Sequence, residues 1–213
     1  MKLLDKGYIE LQDVMGSDSD IVNAARVSFL GETKGDDADK KLLLYLWKHR
    51  HTTPFEMCEM KFRVKAPLLV ARQWMRHRTF SYNEVSRRYT SEEMDFYEPT
   101  QWRGQSISNK QASNGMVDTK MTTLARQLNQ ISVSLYNQAL EEGIAREQAR
   151  ILLPQSMYTT FIAKVDLKNL LNFISLRSSP HAQYEIRVYS DAILEMVKEH
   201  FPWTAEAYLG ETT

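Results

Sequence analysis

The residue types best suited to chemistry are concentrated in one stretch, residues 76–89, which reads RHRTFSYNEVSRRY. The stretch carries several arginines and His77, has Glu84 as its only acid, and otherwise consists mostly of hydroxyl and amide side chains. Guanidinium forks combined with hydroxyls and amides can hold phosphate oxygens and orient a polar ring beside them. The stretch therefore predicts a local anion site, and a solvated basic loop is the alternative.

Two side chains of the sequence could act as nucleophiles, Cys58 and Ser86. Cys58 is the only cysteine, which excludes an intrachain disulfide and a cysteine-rich zinc site. It lies in CEMKFRVKA, where apolar and charged residues alternate, so we expect a thiol in the core of a strand. Ser86 has no nearby His–acid partner to activate it, and we assign it to binding. The sequence therefore predicts no protein nucleophile and no metal site.

The composition of the 213-residue chain is that of an ordinary globular protein, with 43% hydrophobic and 25% charged residues. Its 27 basic residues balance 27 acidic residues, which argues against a general nucleic-acid binder. The length predicts a single domain over residues 1–213. Because no apolar run resembles a signal peptide or a membrane span, we expect a cytosolic protein without a membrane partner.

Hydrophobic periodicity predicts an α+β fold in which a mixed sheet is flanked by helices, because the elements do not alternate regularly. Strands are expected at residues 8–13, 58–66 and 157–165. Helices are expected at residues 21–27, 40–48, 68–78, 116–142, 146–153, 167–176 and from 179–180 to 201–202. Ser17 or Asp18 is expected to cap the first helix, and Asp166 the helix at 167–176. Residues 90–115 are predicted to form an ordered excursion or a loop.

Two of these helices indicate a ligand site and a subunit contact. The helix at 68–78 places Arg72, Gln73, Arg76 and His77 on one side, and its C-terminal end suits positive charge. In the helix at 116–142 apolar residues recur about every 3.5 positions, a spacing that favours a seam between subunits. These residues are Val117, Met121, Leu124, Leu128, Ile131 and Leu135.

Four blocks of the sequence carry a family resemblance. Residues 76–89 fill every fixed position of the pattern R-H-R-x-x-S-x-N-E-x-S-x-R-Y. Residues 51–56 read H-x-T-P-F-E, and residues 146–154 read R-E-x-A-R-x-x-L-P. The C-terminal block reads L-N-F at 171–173, L-R at 176–177 and H-A-Q-x-E-I-R at 181–187. In this order, and over nearly the full chain, the blocks resemble the flavin-dependent thymidylate synthases.

The resemblance implies a homotetramer of α+β subunits with shared sites, which binds FAD and takes reducing equivalents from NADPH. The family moves a one-carbon unit from 5,10-methylenetetrahydrofolate to dUMP and forms dTMP and tetrahydrofolate. Carried over by position, the dUMP contacts are Gln73, Arg76, Glu84, Ser86, Arg87, Arg88, Arg150 and Arg177. The FAD contacts are His51, Thr53, Arg76, His77, Arg78, Glu84, Asp166 and Asn172.

The chemistry of these side chains fits the implied roles. Arg88 and Arg150 can each give paired donors to the phosphate of dUMP. A fixed guanidinium such as Arg177 can stabilise charge that grows on the uracil ring, so Arg177 is the predicted catalytic residue. Surface salt bridging remains open for Arg150, and a helix-end cation for Arg177. A structural role remains equally open for His51 and His77.

Three positions depart from the family pattern. Asp166 stands where asparagine is expected, which removes an amide donor, and a helix cap explains the aspartate equally well. Arg87 stands at a variable site that is often held by a small residue. Arg50 replaces an expected glycine before His51, which predicts an altered loop.

The alternative from another class is a non-catalytic nucleotide- or RNA-binding module. It would use the basic stretch together with Trp74, Tyr82 and Tyr89 as stacking surfaces. The balanced net charge and the absence of a second basic patch argue against it.

Overall fold

The computed structural model describes residues 1–31, 34–86, 94–106 and 113–212. Its strands are β1 (Lys2–Leu3), β2 (Gly7–Met15), β3 (Glu59–Pro67), β4 (Ser81–Glu84), β5 (Trp102–Gln105), β6 (Ser113–Val117) and β7 (Tyr158–Asp166). Its α-helices are α1 (Asp18–Arg26), α2 (Asp36–Lys48), α3 (Leu68–Trp74), α4 (Met121–Glu141), α5 (Arg146–Ala149), α6 (Leu167–Arg177), α7 (Tyr184–His200) and α8 (Pro202–Thr212). Short 3₁₀ helices occur at Val27–Phe29, Thr53–Met57 and Arg150–Leu152.

A five-stranded sheet in the order β1-β2-β3-β7-β4 forms the centre of the fold. All of its neighbouring strands run antiparallel, so the α+β class is as predicted but the predicted mixed sheet is wrong. β3 and β4 run in the same direction, but β7 lies between them and is antiparallel to both, so no two neighbouring strands are parallel. Periodicity along the sequence carries no information about the order of the strands in the sheet.

Alternation along β3 gives the sheet one buried face. Met60, Phe62 and Val64 have 0% exposure, while Arg63 between them is exposed. Helices α3 and α6 pack against β3 and β7, and each large side chain buried there contributes about 1.5–3 kcal/mol. A slip of one residue would turn the whole apolar set to water, so this burial fixes the register. The strands predicted at 58–66 and 157–165 are confirmed.

Cys58, immediately before β3, is the core thiol that the alternation predicts. Its side chain has 0% exposure, and its Sγ lies 3.5 Å from the carbonyl oxygen of Ser17. Burial, and after it the negative charge of Asp20, raises the pKa of the Cys58 thiol to about 11. The thiol is therefore protonated at neutral pH and is a poor nucleophile.

The start of α1 is capped differently from the prediction. Ser17 occupies the N-cap position, but its side chain makes no capping hydrogen bond. Asp18 is buried and accepts hydrogen bonds from the backbone N–H groups of Trp203 and Thr204, at 2.7 and 3.1 Å. It therefore caps α8. The sequence did not predict this helix, because Pro202 was interpreted only as the end of α7, whereas it also forms the first turn of α8.

The predicted excursion at residues 90–115 and the predicted helix at 116–142 meet in a hairpin. β5 pairs with β6 in antiparallel fashion, so α4 begins at Met121 instead of Met116. Trp102 Nε1 donates to Thr122 Oγ1 at 2.9 Å, which fastens the hairpin to α4. The predicted final helix likewise begins later, at Tyr184.

One face of α4 is apolar and open to solvent in the single chain. We call it the α4 stripe; its residues Met121, Leu124, Leu128, Ile131 and Leu135 have exposed fractions of 43%, 52%, 56%, 57% and 45%. A neighbouring face of the same helix buries Tyr136 and Ala139 against the rest of the chain. Within the described ranges, neither α4 nor any other helix is long and apolar enough to cross a membrane.

Candidate active site

The turn after α3 holds the Arg-His-Arg sequence. The helix ends at Trp74 and not at Arg78 as predicted. The hydroxyl of Tyr82 in β4 lies 2.9 Å from the carbonyl oxygen of Trp74 and 3.0 Å from that of His77. Its proton can be donated to either carbonyl, so this hydroxyl satisfies the end of the helix and holds the turn. Arg76 and Arg78 are exposed on this fixed turn.

The turn meets the C-terminal end of α6 at Arg177. Arg177 Nε donates to His77 Nε2 at 3.0 Å, and Nη2 donates to the backbone oxygen of Gln73 at 3.2 Å. Arg177 and Gln73 also line a cleft of about 530 Å³. Among the described residues no group accepts from Arg177 Nη1. The structure therefore brings together three predicted site residues and leaves a fixed guanidinium with free donors at a cleft.

His77 is neutral in this arrangement. Its Nε2 accepts a hydrogen bond, so the ring proton must lie on Nδ1. Burial, and then the positive charge of Arg177, lower the pKa of His77 to about 4. Burial, and then the charge of Arg76, lower the pKa of the Arg177 guanidinium. The site thus places positive charge around an uncharged imidazole, whose ring centroid lies 4.8 Å from that of Phe173.

We expect acid to destabilise the natural protein more than a His77→Gln variant. Between pH 6.5 and about 4 the unfolded chain binds a proton that the folded chain does not, so stability is lost as the pH falls through this window. Full burial would make the loss about 3 kcal/mol, and because the imidazole is only half-buried we expect about 1–2 kcal/mol. Urea unfolding of both proteins at about pH 7.5 and about pH 4.5 measures the difference.

Glutamine is the matched replacement because its Oε1 can accept the hydrogen bond from Arg177 but does not titrate. Carboxylates that titrate in the same range contribute equally to both proteins and cancel in the comparison. An identical loss of stability in the two proteins would contradict a neutral His77 in the folded state.

A second group of predicted residues lines a cleft of about 460 Å³. Glu84, Ser86 and Arg150 meet there, and Glu84 Oε1 accepts a 2.6 Å hydrogen bond from the hydroxyl of Thr159. Arg150 is exposed, and its Nε donates to the backbone oxygen of Glu147 at 3.2 Å. Among the ion pairs of the described residues none includes Arg150, so the salt-bridge alternative has no support from this part of the chain.

A third cleft, of about 680 Å³, is lined by His51 and Thr53 together with apolar residues of α1 and α2. The 3₁₀ helix Thr53–Met57 packs against α6, which carries the exposed amide of Asn172. Arg50, before His51, has a φ of 62°. This left-handed backbone is the conformation that glycine adopts without strain, which explains why a glycine is expected at this position.

The amino-acid sequence is similar to enzymes from several bacteria. A family model described as thymidylate synthase complementing protein matches residues 10–203. The flavin-dependent thymidylate synthase of Thermus thermophilus is 51% identical over 206 residues, which cover 95% of this chain and 76% of that protein. The same enzyme of Thermosipho africanus is 45% identical over 212 residues, with 98% and 93% covered. The chain belongs to the flavin-dependent thymidylate synthase family.

The fold is also similar to that of a solved enzyme. The UMP/dUMP methylase PolB from Streptomyces cacaoi, bound with 5-Br dUMP, is 32% identical with a TM-score of 0.87. The match covers 99% of this chain and 97% of that chain. The family that the four sequence blocks predicted is therefore confirmed, and the chain has an α+β fold similar to that of this UMP/dUMP methylase.

In a single chain of this flavin-dependent thymidylate synthase family member, the predicted contacts that line a cleft fall into three separate groups. The clefts at Arg177, at Arg150 and at His51 share no lining residue. Arg87 and Arg88, which follow Ser86, lie outside the described residues. The structure therefore brings Gln73, His77 and Arg177 together, but it does not join them to the His51 cleft.

Asp166 caps the N-terminal end of α6. Its Oδ1 accepts from the backbone N–H of Asn169 at 2.9 Å, and its Oδ2 accepts from the Asn169 side chain at 2.7 Å. The predicted cap of α6 is thus confirmed. A contact between Asp166 and FAD stays a prediction.

The stacking surfaces of the RNA-binding alternative are largely occupied. The Trp74 side chain has 0% exposure and lies against Phe161 and Phe173. Tyr82 stacks on Phe80, with ring centroids 5.7 Å apart, and its hydroxyl holds the turn. Tyr89 lies outside the described residues. Trp74 and Tyr82 cannot stack on bases while they hold the fold together, which argues against this alternative.

Sequence reasoning missed one buried charged group near the site. Glu185, in the first turn of α7, is only 4% exposed and is paired with Arg103 of the hairpin. A signal was present, because Glu185 precedes the core residue Tyr189 by four positions and so shares its side of the helix.

Proposed function

We propose that the protein converts dUMP to dTMP, with 5,10-methylenetetrahydrofolate as carbon donor, NADPH as reductant and FAD as cofactor, and releases tetrahydrofolate. The observation that carries the proposal is the Arg177 guanidinium, held by His77 and Gln73 at a cleft in a chain of this family. Two relatives of this chain carry the name of that activity, and the similar solved methylase is bound to a dUMP analogue.

In this proposal Arg177 is the catalytic residue and acts on the uracil ring. Negative charge grows on the ring as C5 becomes nucleophilic, and a guanidinium that is already fixed stabilises that charge without reorganisation. The neutral His77 contributes by fixing Arg177 Nε and adds no competing positive charge. Gln73 lines the same cleft and orients the base.

The cleft at Arg150 suits the phosphate end of dUMP. Arg150 can supply paired donors, and Ser86 can supply a hydroxyl. Arg87 and Arg88 directly follow Ser86 in the chain and belong to the same proposed anion site. Glu84, held by Thr159, lies at this cleft and is a proposed contact of both dUMP and FAD.

The residues at the His51 cleft fit a flavin nucleotide. The volume of about 680 Å³ lies in the range of small-molecule sites, and apolar walls combine there with the polar groups of His51 and Thr53. The exposed Arg76 and Arg78 could hold the FAD diphosphate, and Asn172 offers an amide. When bound, FAD supplies the reducing equivalents from NADPH that the transferred carbon needs.

We further propose that residues 1–213 form one domain of a cytosolic homotetramer whose sites are shared between subunits. Two features support this assembly. The apolar α4 stripe is open to solvent in a single chain, as expected of a subunit contact. The three clefts also remain separate within one chain, so contributions from other subunits would be needed to bring dUMP, FAD and folate together.

The proposal predicts that protein incubated with FAD turns yellow, and that NADPH bleaches the flavin absorbance under anaerobic conditions. With 5,10-methylenetetrahydrofolate and dUMP added, it should form dTMP. UMP in place of dUMP tests which nucleotide is preferred. The proposal would be contradicted if the protein shows no measurable FAD affinity, or if it binds FAD yet forms no dTMP.

Cys58→Ala is expected to leave dTMP formation by the folded enzyme unchanged. The thiol is buried and protonated, so its loss removes only packing, about 1–2 kcal/mol of unfolding free energy. Urea unfolding measures the stability, and steady-state kinetics at a temperature well below the transition measure the activity. A folded but inactive variant would reassign Cys58 to catalysis.

A further inference from the structure

Glu185 lies between the hairpin and the proposed uracil cleft. Its Oε1 accepts hydrogen bonds from Arg103 Nη2 at 2.5 Å and from the Tyr97 hydroxyl at 3.1 Å. Its Oε2 accepts from Gln183 Nε2 at 2.8 Å. Burial acts to raise the pKa of Glu185, but the hydrogen bonds from Arg103 and Gln183 outweigh it and hold the pKa below its ordinary value. The buried group is therefore a carboxylate that can only accept.

An acceptor-only group fixes the direction of the amides that follow it. Gln183 must turn its Nε2 to Glu185, so its Oε1 faces Gln73 Nε2, 2.5 Å away. Gln73 must then turn its own Nε2 inward, where it also lies 3.5 Å from the backbone oxygen of Leu69. This order follows from the carboxylate at its end and does not depend on how either amide was assigned.

This chain of hydrogen bonds determines which end of the Gln73 amide is available at the cleft of Arg177. Gln73 lines this cleft, and because its Nε2 donates to Gln183, its Oε1 is the end that remains for a ligand. Among the described residues no group donates to Gln73 Oε1. The cleft therefore presents one oriented acceptor from Gln73 and the free donors of Arg177.

Uracil and cytosine differ in the groups that such a cleft would meet. Uracil carries an N–H donor at N3 and a carbonyl oxygen at C4, whereas cytosine carries a lone pair at N3 and an amino group at C4. Gln73 Oε1 can accept from the N–H of uracil, but it would face the lone pair of cytosine. A buried acceptor that meets another acceptor loses its hydrogen bond and is not compensated.

We infer that Glu185 and Gln183 are positioning residues that hold Gln73 as a hydrogen-bond acceptor and thereby select uracil over cytosine nucleotides. The inference rests on the proposed function, since it assumes that the base of dUMP lies in the cleft of Arg177. It adds to that function the source of its base specificity. Glu185 does not line the cleft of Arg177, so it acts on the base only through the two amides, whereas Gln183 also lines this cleft itself.

A Glu185→Gln variant tests the inference directly. The new amide keeps the shape of the side chain and can still accept from Arg103, but it then turns its Nε2 to Gln183. Gln183 and Gln73 must both reverse, and Gln73 then presents Nε2, a donor that suits cytosine N3. The dissociation constants of dUMP and dCMP are measured by titration calorimetry with the FAD-loaded protein.

We expect the ratio of the dCMP to the dUMP dissociation constant to fall by about ten-fold or more in Glu185→Gln. Glu195→Gln, an exposed glutamate of the same helix, makes the same chemical change outside the hydrogen-bonded chain and should leave the ratio unaltered. A loss of affinity that is equal for both nucleotides would show a merely structural role and would overturn the inference.

A second variant covers the case in which Glu185→Gln does not fold. Gln183→Met removes the middle amide at a half-buried position and frees Gln73 to turn either way, so the same ratio should fall by about three-fold or more. An unchanged ratio in this variant overturns the inference as well. If the natural protein fails to bind dUMP at all, the proposed function itself is wrong, and that outcome is distinct from either of these.

Discussion

Replacing Arg177 by alanine is expected to lower kcat for dTMP formation by about 100-fold or more at saturating dUMP. Arg177 is held at the cleft by His77 and by the backbone of Gln73, so its remaining donors are fixed before charge develops on the uracil ring. The stabilisation it supplies is greater in the transition state than in the bound ground state. Its removal should therefore appear mainly in kcat, as measured by steady-state kinetics of dTMP formation.

A comparison with Arg150→Ala shows whether this assignment is right. Arg150 is proposed to contact the phosphate, so its loss should raise KM for dUMP by about 10- to 100-fold with a smaller effect on kcat. Arg72→Ala is the matched control, because Arg72 is an exposed arginine of α3 with no proposed role. If Arg177→Ala and Arg150→Ala both change kcat and KM by the same small factors, the proposed division of roles fails.

The second large effect is expected from Leu128→Glu in the middle of the α4 stripe. Leu128 is 56% exposed in the single chain, between Leu124 and Ile131. If the α4 stripe is a subunit contact, a carboxylate there must lose its water on assembly, which costs several kcal/mol per subunit. The variant should sediment as a species near 24.8 kDa and form no measurable dTMP.

Gln130→Glu is the control for the charge itself. Gln130 is exposed on the same helix, but it lies about 200° around the axis from Leu128 and outside the α4 stripe. This variant should sediment and react like the natural protein. Thermal unfolding establishes that the Leu128→Glu subunit remains folded. A Leu128→Glu protein of unchanged size and full activity would remove the α4 stripe from the assembly.

The family and most of the local structure could be predicted from the order of the residues alone. The spacing of fixed residues in 76–89 and in 146–154 was sufficient for the family, because four blocks in one order rarely coincide by chance. The two-residue period around Cys58 located β3, since each second side chain of a half-buried strand must avoid water. The near-heptad spacing of α4 was also visible, and its interpretation as a seam between subunits agrees with the outward direction that the exposed fractions show.

The partners of the polar groups became visible only in the folded chain. Asp18 lies at the start of α1 in sequence, yet it caps α8, because the two helix ends meet in space. The direction of the strands was hidden for the same reason, as was the hairpin that shortens the helix predicted from Met116. Periodicity reports which side of an element is buried, but not which other element buries it.

In the candidate site, too, the sequence predicted the residues but not their contacts. Its members Gln73, His77 and Arg177 were expected from the family pattern, but their contacts arise because α3 and α6 pack on one face of the same sheet. Glu185 belongs to the H-A-Q-x-E-I-R block, but no role was predicted for it, since a glutamate near a helix start is ordinary in sequence. Its importance comes from burial beside Arg103 and Gln183, residues placed next to it by the hairpin and by the turn before α7. Hydrogen bonds depend on distance and direction in space, which a linear sequence does not specify.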